Sequence, residues 1–321
     1  MQIRRSANGI EVLAPAKVNL FFEVLGRRDD GFHEIESLMV PIGLYDTLIL
    51  EDDPSGRISL VARWCFGFGH HHVAEQVSRP ANLGQFGSLP EAEKNLAVRA
   101  VRLLAERAGV RRGAKLQLVK RIPAEAGLGG GSSDAAAGLL AANFAWKLGW
   151  SLDDLSAVAA ELGSDVPFFL AGGTAVCRVR GERVQRVKGL PGLNFVLVRP
   201  PVGLATASVY NACRPSQSPK SVESVIQLLR KGNLGSIGPV AHNRLLEPAR
   251  ELSTWIDTVL DRLAAENCPV IGMSGSGTTC FALCRSEKQA RQVAGRLRNR
   301  QPGIGRVWKV SSVTGDQGAD E

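Results

Sequence analysis

The sequence predicts an α+β protein built in two halves, and three observations carry that reading. Strand-like segments dominate from Gly9 to Ala62. Strand and helix patterns then alternate, but their turns do not recur at βαβ spacing. The texture changes again beyond Leu170, which divides the 321 residues into expected domains 1–170 and 171–321.

The elements follow in order. Gly9 to Val24 carries apolar runs on both sides of APAKVN and reads as two short strands joined through a proline-containing turn. Arg27 to Phe32 is a turn, Ile35 to Leu50 returns to strand character, and Ile58 to Ala62 is a further strand. Cys65 to Pro90, rich in glycine, aromatics and turn formers, has no clean period and reads as an insertion. Its His70, His71 and His72 are adjacent and lack bracketing acid or thiol ligands, so they do not make a metal site. Glu93 to Ala108 is a helix with Leu96, Val98, Val101, Leu104 and Ala105 gathered on one side. Lys115 to Ile122 alternates as a strand and leads into a glycine turn and a long alanine-rich helix. Leu152 to Leu162 makes another helix, closed by Gly163.

In the second half, Gly172 to Lys188 reads as a hairpin, Phe195 to Arg199 as a strand and Val222 to Leu229 as a helix. Pro248 to Ala265 reads as one long helix with proline in its first turn. Val270 to Leu283 supplies a second glycine turn and strand, Glu287 to Arg298 a helix, and Gly305 to Val313 a final strand.

Composition narrows the function classes. With 44% hydrophobic and 22% charged residues the chain is an ordinary globular protein, neither disordered nor fibrous. Thirty-nine Lys and Arg against 31 Asp and Glu leave +8, which suits an anionic partner. Aromatic content is only 6%, and basic residues form no stripe interleaved with aromatics, so nucleic acid is not the expected partner. The six cysteines are far apart and form no CxxC pair; Cys280 and Cys284, on an apolar strand-like run, read as buried free thiols. With no apolar leader at the N-terminus and no apolar stretch long enough to span a bilayer, a cytoplasmic protein is expected.

The strongest chemical signal is Gly127 to Ala135, GLGGGSSDA. Glycines at 127, 129, 130 and 131 let backbone N–H groups approach an anion, and Ser132, Ser133 and Asp134 stand where a helix begins. Together they read as a phosphate cradle at a helix N-terminus, against the simpler reading of a flexible turn before a capped helix. No lysine follows the glycines as a P-loop requires, and their spacing after Pro123 breaks the dinucleotide fingerprint. Lys17 is a charge in a largely apolar segment, and Asp165 sits in the otherwise apolar LGSDVPFFL. From pattern alone they fit a catalytic pair and a structural salt bridge equally.

Three segments, PAKVNL at Pro15 to Leu20, PAEAGLGGGSSDA at Pro123 to Ala135 and IGMSGSGT at Ile271 to Thr278, resemble the signature motifs of the GHMP kinase superfamily in order and separation. The resemblance extends from about Gly9 to Val313 and tightens, through the 33 residues from Ala14 to Asp46 and LGSDVPFFL, to the branch acting on a cytidine-diphosphate-linked methylerythritol. It implies the two-domain GHMP kinase fold, with an N-terminal half of the ribosomal protein S5 domain 2-like type, a C-terminal GHMP half and the active site between them. It implies transfer of the γ-phosphoryl of ATP, with Mg²⁺, to the substrate's 2-hydroxyl in the non-mevalonate route to isoprenoid precursors. Under it Lys17 and Asp165 are catalytic, the aspartate receiving the hydroxyl proton.

By the same resemblance ATP is held by Asn95, Lys120 and the run Pro123, Ala124, Glu125, Ala126, Gly127, Leu128, Gly129, Gly130, Gly131, Ser132 and Ser133, with Ser133 a possible Mg²⁺ ligand by loop position. Asn19, Phe32, His33, Thr206, Tyr210 and Gly275 frame the substrate. Phe32 stands where the family commonly has tyrosine, which removes a hydroxyl but leaves a stacking face. Tyr210 matches the aromatic that closes over the other face of the base, or is a core-edge residue. The insertion at about 65–90 departs from the family pattern, and a monomer and a homodimer both fit.

Overall fold

A computed structural model describes residues 1–7, 9–65, 89–301 and 303–313. The histidine-bearing insertion therefore lies outside the described residues, apart from its ends.

Two antiparallel strands of unusual length organise the N-terminal part. After β1 (Gln2–Ser6), β2 runs from Gly9 to Arg27 and β3 from His33 to Asp53. The expected proline turn inside β2 is instead a register shift between Pro15 and Ala16, one of three irregularities that bend the strand without breaking its pairing with β3. Proline supplies no ladder N–H, so a bulge accommodates it where a regular central strand would not. β3 serves two neighbours: residues 35–39 pair with β6 (Ala175–Val179), and residues 47–53 pair with β5 (Gly113–Lys120). β5 pairs in parallel with β4 (Ile58–Trp64), and β7 (Arg183–Arg186) with β6.

A second sheet has the order β11-β8-β10-β9, comprising β8 (Asn194–Arg199), β9 (Val270–Met273), β10 (Cys280–Cys284) and β11 (Arg306–Ser311). The change of sheet thus falls between Arg186 and Asn194. The hairpin expected to open the second half belongs to the first sheet, because β3 extends past β5 and offers its other end to β6.

Helices cover both sheets. α1 (Leu96–Ala108), α2 (Gly130–Ala145), α3 (Leu152–Leu162) and α4 (Val166–Ala171) bury their apolar faces against the first sheet. α1 starts at Leu96, later than expected, because Asn95 caps it by accepting the Ala97 N–H at 2.9 Å. Behind the glycine turn α2 is buried nearly all round through Ala142, which its alanines permit by letting α1 and β2 approach closely. α5 (Thr206–Ala212) and α6 (Glu223–Arg230) follow β8. The single helix expected over Pro248–Ala265 is two, α7 (Leu246–Leu252) and α8 (Trp255–Ala264), since Ser253 takes an extended backbone that ends the first. α8 and α9 (Glu287–Arg300) pack on the second sheet. A middle core, including Val18, Phe21, Ile122, Phe195 and Phe281, joins the two layers. Among the described residues no helix is long and apolar enough to cross a membrane.

One buried ionic cluster fixes the glycine turn to this framework. Lys120, at the end of β5, contacts Asp46 of β3 and lies 2.6 Å from Asp134 in the second turn of α2. Asp46 also accepts the Ile122 N–H at 2.9 Å. Burial alone would lower the lysine's pKa, but Asp134 and Asp46 outweigh it and hold the ammonium charged. Burial and the neighbouring Asp46 carry the Asp134 carboxyl well above the usual range, against the pull of Lys120. Lys120→Met would leave two buried carboxyls facing each other, and breaking such a cluster costs about 3–5 kcal/mol. A folded carboxyl pKa raised above the unfolded value favours the fold at low pH and loses that contribution as pH rises through the folded pKa. The variant's stability deficit, measured by urea unfolding, is therefore expected to be larger at pH 8 than at pH 5.5.

Candidate active site

A cleft of about 910 Å³ lies against the glycine turn, and both halves of the chain line it. Its floor comes from β2. Lys17 and Asn19 are two apart on that strand and so share a face, and the Lys17 ammonium donates to the Asn19 side-chain oxygen. Asn19 in turn donates to the Ser37 hydroxyl at 2.8 Å, and Ser37 to the Phe21 carbonyl at 2.8 Å. Asn19 does not itself line the cleft; of the residues expected to frame the substrate, it holds Lys17 instead.

Asp165 lies at the start of α4, its carboxylate 3.6 Å from the Lys17 ammonium. Burial lowers the pKa of Lys17, which is 4% exposed, against the opposing effect of Asp165. Asp165 is 29% exposed at its side chain, so it reaches a ligand in the cleft while Lys17 stays beneath it. The Cys177 thiol, buried beside this pair, is pushed up by burial and the nearby Asp165 and takes no part as a thiolate at neutral pH.

The glycine turn forms one wall. The Lys17 main-chain N–H donates to the Leu128 carbonyl at 3.0 Å, which ties the turn to the floor. Gly127 has φ +72°, and a Cβ there would stand 2.0 Å from the Ser274 carbonyl oxygen, so only glycine fits where the second and third motifs touch. Pro123, Ala124, Glu125, Ala126, Gly127, Leu128, Gly129, Gly130, Gly131 and Ser132 line the cleft, as do Asn95 and Lys120. Ser133 does not: it is wholly buried, and its hydroxyl has no hydrogen-bond partner among the described residues. Helical geometry points Ser132 outward and turns the next residue into the core. Ser132, and not Ser133, is therefore the loop serine that faces the cleft.

The third motif closes the floor from the other half. Ser274 accepts the Asn19 N–H at 3.1 Å and donates to the Gly127 carbonyl at 2.9 Å. Asn243 donates to the carbonyls of Met273 and Gly275, each at 2.8 Å. Thr206, at the start of α5, hydrogen-bonds Ser276 at 3.0 Å, and both line the cleft.

An aromatic group completes the lining. The rings of His33 and Tyr210 lie 5.1 Å apart, tilted by 38°, and Phe22 meets Tyr210 edge-on at 6.4 Å. Burial lowers the His33 pKa, aided by Arg27, so the imidazole is neutral at pH 7 and presents one donor and one acceptor. Phe32 is 49% exposed at the rim, with the Arg180 guanidinium 4.9 Å from its ring centre.

Arg180, Trp64 and Asn243 were not singled out from the sequence. Arg180 sits at the turn of the β6–β7 hairpin, where Gly181 marks the turn but nothing local marks its direction. Trp64 is opposite Lys120 in the β4–β5 register, which extends β4 beyond the expected Ala62. Among the described residues no three or more His, Cys, Asp or Glu side chains converge as a metal site would require.

Residues 95–173 match the model for the GHMP kinases N-terminal domain, and residues 225–303 the model for the GHMP kinases C-terminal domain. A 4-diphosphocytidyl-2-C-methyl-D-erythritol kinase from Pelotomaculum thermopropionicum is 40% identical over 90% of this chain and 94% of its own. One from Shouchella clausii is 36% identical over 89% and 90%. The crystal structure of a 4-(cytidine 5'-diphospho)-2C-methyl-D-erythritol kinase superposes with a TM-score of 0.73 at 36% identity, covering 95% of this chain and all of that one. A homoserine kinase structure from Cytophaga hutchinsonii, 21% identical, has a TM-score of 0.71 over 99% and 98% and shows the shared fold alone. Joined to a cleft in which all three motifs meet, these likenesses place the chain in the 4-diphosphocytidyl-2-C-methyl-D-erythritol kinase family of the GHMP kinases.

Proposed function

We propose that this chain transfers the γ-phosphoryl group of ATP to the 2-hydroxyl of 4-diphosphocytidyl-2-C-methyl-D-erythritol. The observation that carries the mechanism is the Lys17–Asp165 pair, 3.6 Å apart on the cleft floor beside the glycine turn. An alcohol is a poor nucleophile, and phosphoryl transfer rests on positioning and charge stabilisation. Asp165 orients the 2-hydroxyl and takes its proton as the oxygen bonds to the γ-phosphorus and the bond to the β-phosphate oxygen breaks, releasing ADP. Lys17, held by Asn19 and paired with Asp165, stabilises the negative charge on the transferring group.

The backbone N–H groups of Gly129 to Ser132 and the start of α2 form the phosphate cradle for ATP. Asn95, Trp64 and Lys120 lie where the adenine would be received, with Lys120 neutralised by its two acids and so acting as framework. Mg²⁺ fits as an ion held chiefly by nucleotide phosphates and water, with Ser132 rather than Ser133 the loop hydroxyl on that wall. When bound it neutralises phosphate charge. His33, with both ring nitrogens available for polar recognition, reads the cytosine edge, and Phe32 and Tyr210 provide its stacking faces. Thr206 and Gly275 lie near the diphosphate, and the Arg180 guanidinium adds positive charge at the rim. A cytoplasmic enzyme acting on a small nucleotide-linked substrate, and not on nucleic acid or membrane, completes the reading.

ADP release should be far faster with the cytidine-linked substrate than with mevalonate, homoserine or galactose; preference for mevalonate would remove this assignment. Asp165→Asn should keep the fold and nucleotide affinity while turnover falls by roughly 10²- to 10⁴-fold.

Gly130→Val should weaken ATP binding at least tenfold and leave the cytidine substrate's affinity almost unchanged in calorimetric titration. A Cβ at Gly130 would stand 2.9 Å from the Ile122 side chain and 3.2 Å from the Lys120 ammonium, so the branched residue displaces the start of α2.

Phe32→Ala and Tyr210→Ala should each cost about 1–3 kcal/mol of substrate binding, roughly tenfold or more in affinity, with ATP affinity little changed. Folded variants that bind the cytidine substrate like the parent would place its base elsewhere.

A further inference from the structure

Outside the cleft, the sulfurs of Cys268 and Cys284 lie 3.7 Å apart. Cys284 ends β10, one residue beyond the pairing of Leu283 with Val270, and Cys268 lies two residues before Val270. The two thiols therefore face each other at the open base of the β9–β10 hairpin, whose tip carries Gly275 and Ser276. Cys284 is buried and Cys268 half-buried, and the described cysteines are all free. The hydrogen bond from Cys284 holds the Cys268 thiol below its ordinary range against burial and the nearby Glu266 carboxylate, with Arg285 and Arg296 contributing less. Cys284 is pushed up by the same hydrogen bond and by burial. Cys268 is thus the accessible, more acidic partner and Cys284 the protected one.

We propose that Cys268 and Cys284 form a reversible disulfide on exposure to a hydroperoxide, stapling the base of the hairpin that presents the third glycine motif to the cleft. The Cys268 thiolate attacks one peroxide oxygen, the O–O bond breaks, and the departing hydroxide is protonated to water, leaving a sulfenic acid. The Cys284 sulfur then attacks the Cys268 sulfur; the S–S bond forms, the S–O bond breaks, and hydroxide leaves as water with the Cys284 proton. Two electrons pass from the thiols to the peroxide. Exchange with a dithiol reductant reverses the linkage. Sulfurs 3.7 Å apart reach bonding distance, about 2.05 Å, through small side-chain rotations.

The test treats the full chain with hydrogen peroxide, alkylates the remaining thiols and maps peptides by mass spectrometry, with thermal unfolding of the same samples. The expected result is a Cys268–Cys284 linked peptide with loss of two hydrogens, reversed by dithiothreitol and absent from Cys268→Ser and Cys284→Ala. Because the closed loop constrains the unfolded chain, the oxidised protein should melt several degrees higher than the reduced one. Sulfinic acid on Cys268 without linkage, or linkage of another pair, would overturn the assignment. Linkage with an unchanged or lower melting temperature would overturn the stapling role.

Discussion

A lysine that is almost wholly buried must be held, and holding Lys17 organises the rest of this molecule. Its main-chain N–H anchors the glycine turn through Leu128, its ammonium is shared between Asn19 and Asp165, and Asn19 in turn engages Ser37 and Ser274. Elements distant in sequence (β2, β3, α4, the glycine turn and the third motif) are therefore fixed by the solvation needs of one charge. A buried ion pair contributes little net stability compared with apolar packing, but it is intolerant of misplacement, and that intolerance sets the geometry of the cleft floor.

The same strand carries a second buried charge that binds the halves together. Glu23, fully buried on β2, accepts from Arg244 at 2.7 and 3.0 Å and from the Lys220 N–H at 2.9 Å. Burial alone would raise its pKa, but Arg244 and the backbone donors outweigh this and keep the carboxylate ionised. Arg244 immediately follows Asn243, which holds the backbone of the third motif, so a contact far down β2 positions the loop that returns to Lys17. β2 is in effect the shared rail of both halves, which explains why its proline is absorbed as a bulge and its pairing kept continuous.

How much of this was legible follows from which constraints are local. The glycine turn, the helix after it, Lys17 and Asp165 are each marked by residues that contradict their surroundings: consecutive glycines before a helix, charges in apolar runs. Asp46 and Asn243 are not marked, because an acid in a strand and an asparagine before leucines look ordinary until Lys120 and the Met273 carbonyl are seen beside them. Arg180 is equally silent, since its role depends on where the hairpin of β6 and β7 docks. The place of the β6–β7 hairpin is silent for the same reason: only the full length of β3 shows that it has room for β6. Loop position does not distinguish Ser132 from Ser133, since one residue along a helix separates the cleft from the core.

The floor and the rim of the cleft are supported differently. The charges beneath the chemistry, Lys17 and Lys120, are fixed by burial and by partners on strands, so little reorganisation is needed when charge develops on a transferring phosphoryl group. The groups expected to meet the base, by contrast, lie on shorter supports: Phe32 on the β2–β3 turn, Arg180 on a hairpin tip, Tyr210 on the seven-residue α5. A buried floor and a rim carried on short supports divide two tasks that compete when one surface must do both. A catalytic pair gains from having one geometry, whereas an aromatic platform must admit a base before it closes on it. On the proposed reading the half-exposed Phe32 ring, with the Arg180 guanidinium 4.9 Å from its centre, meets the base by exchanging one ring partner for another.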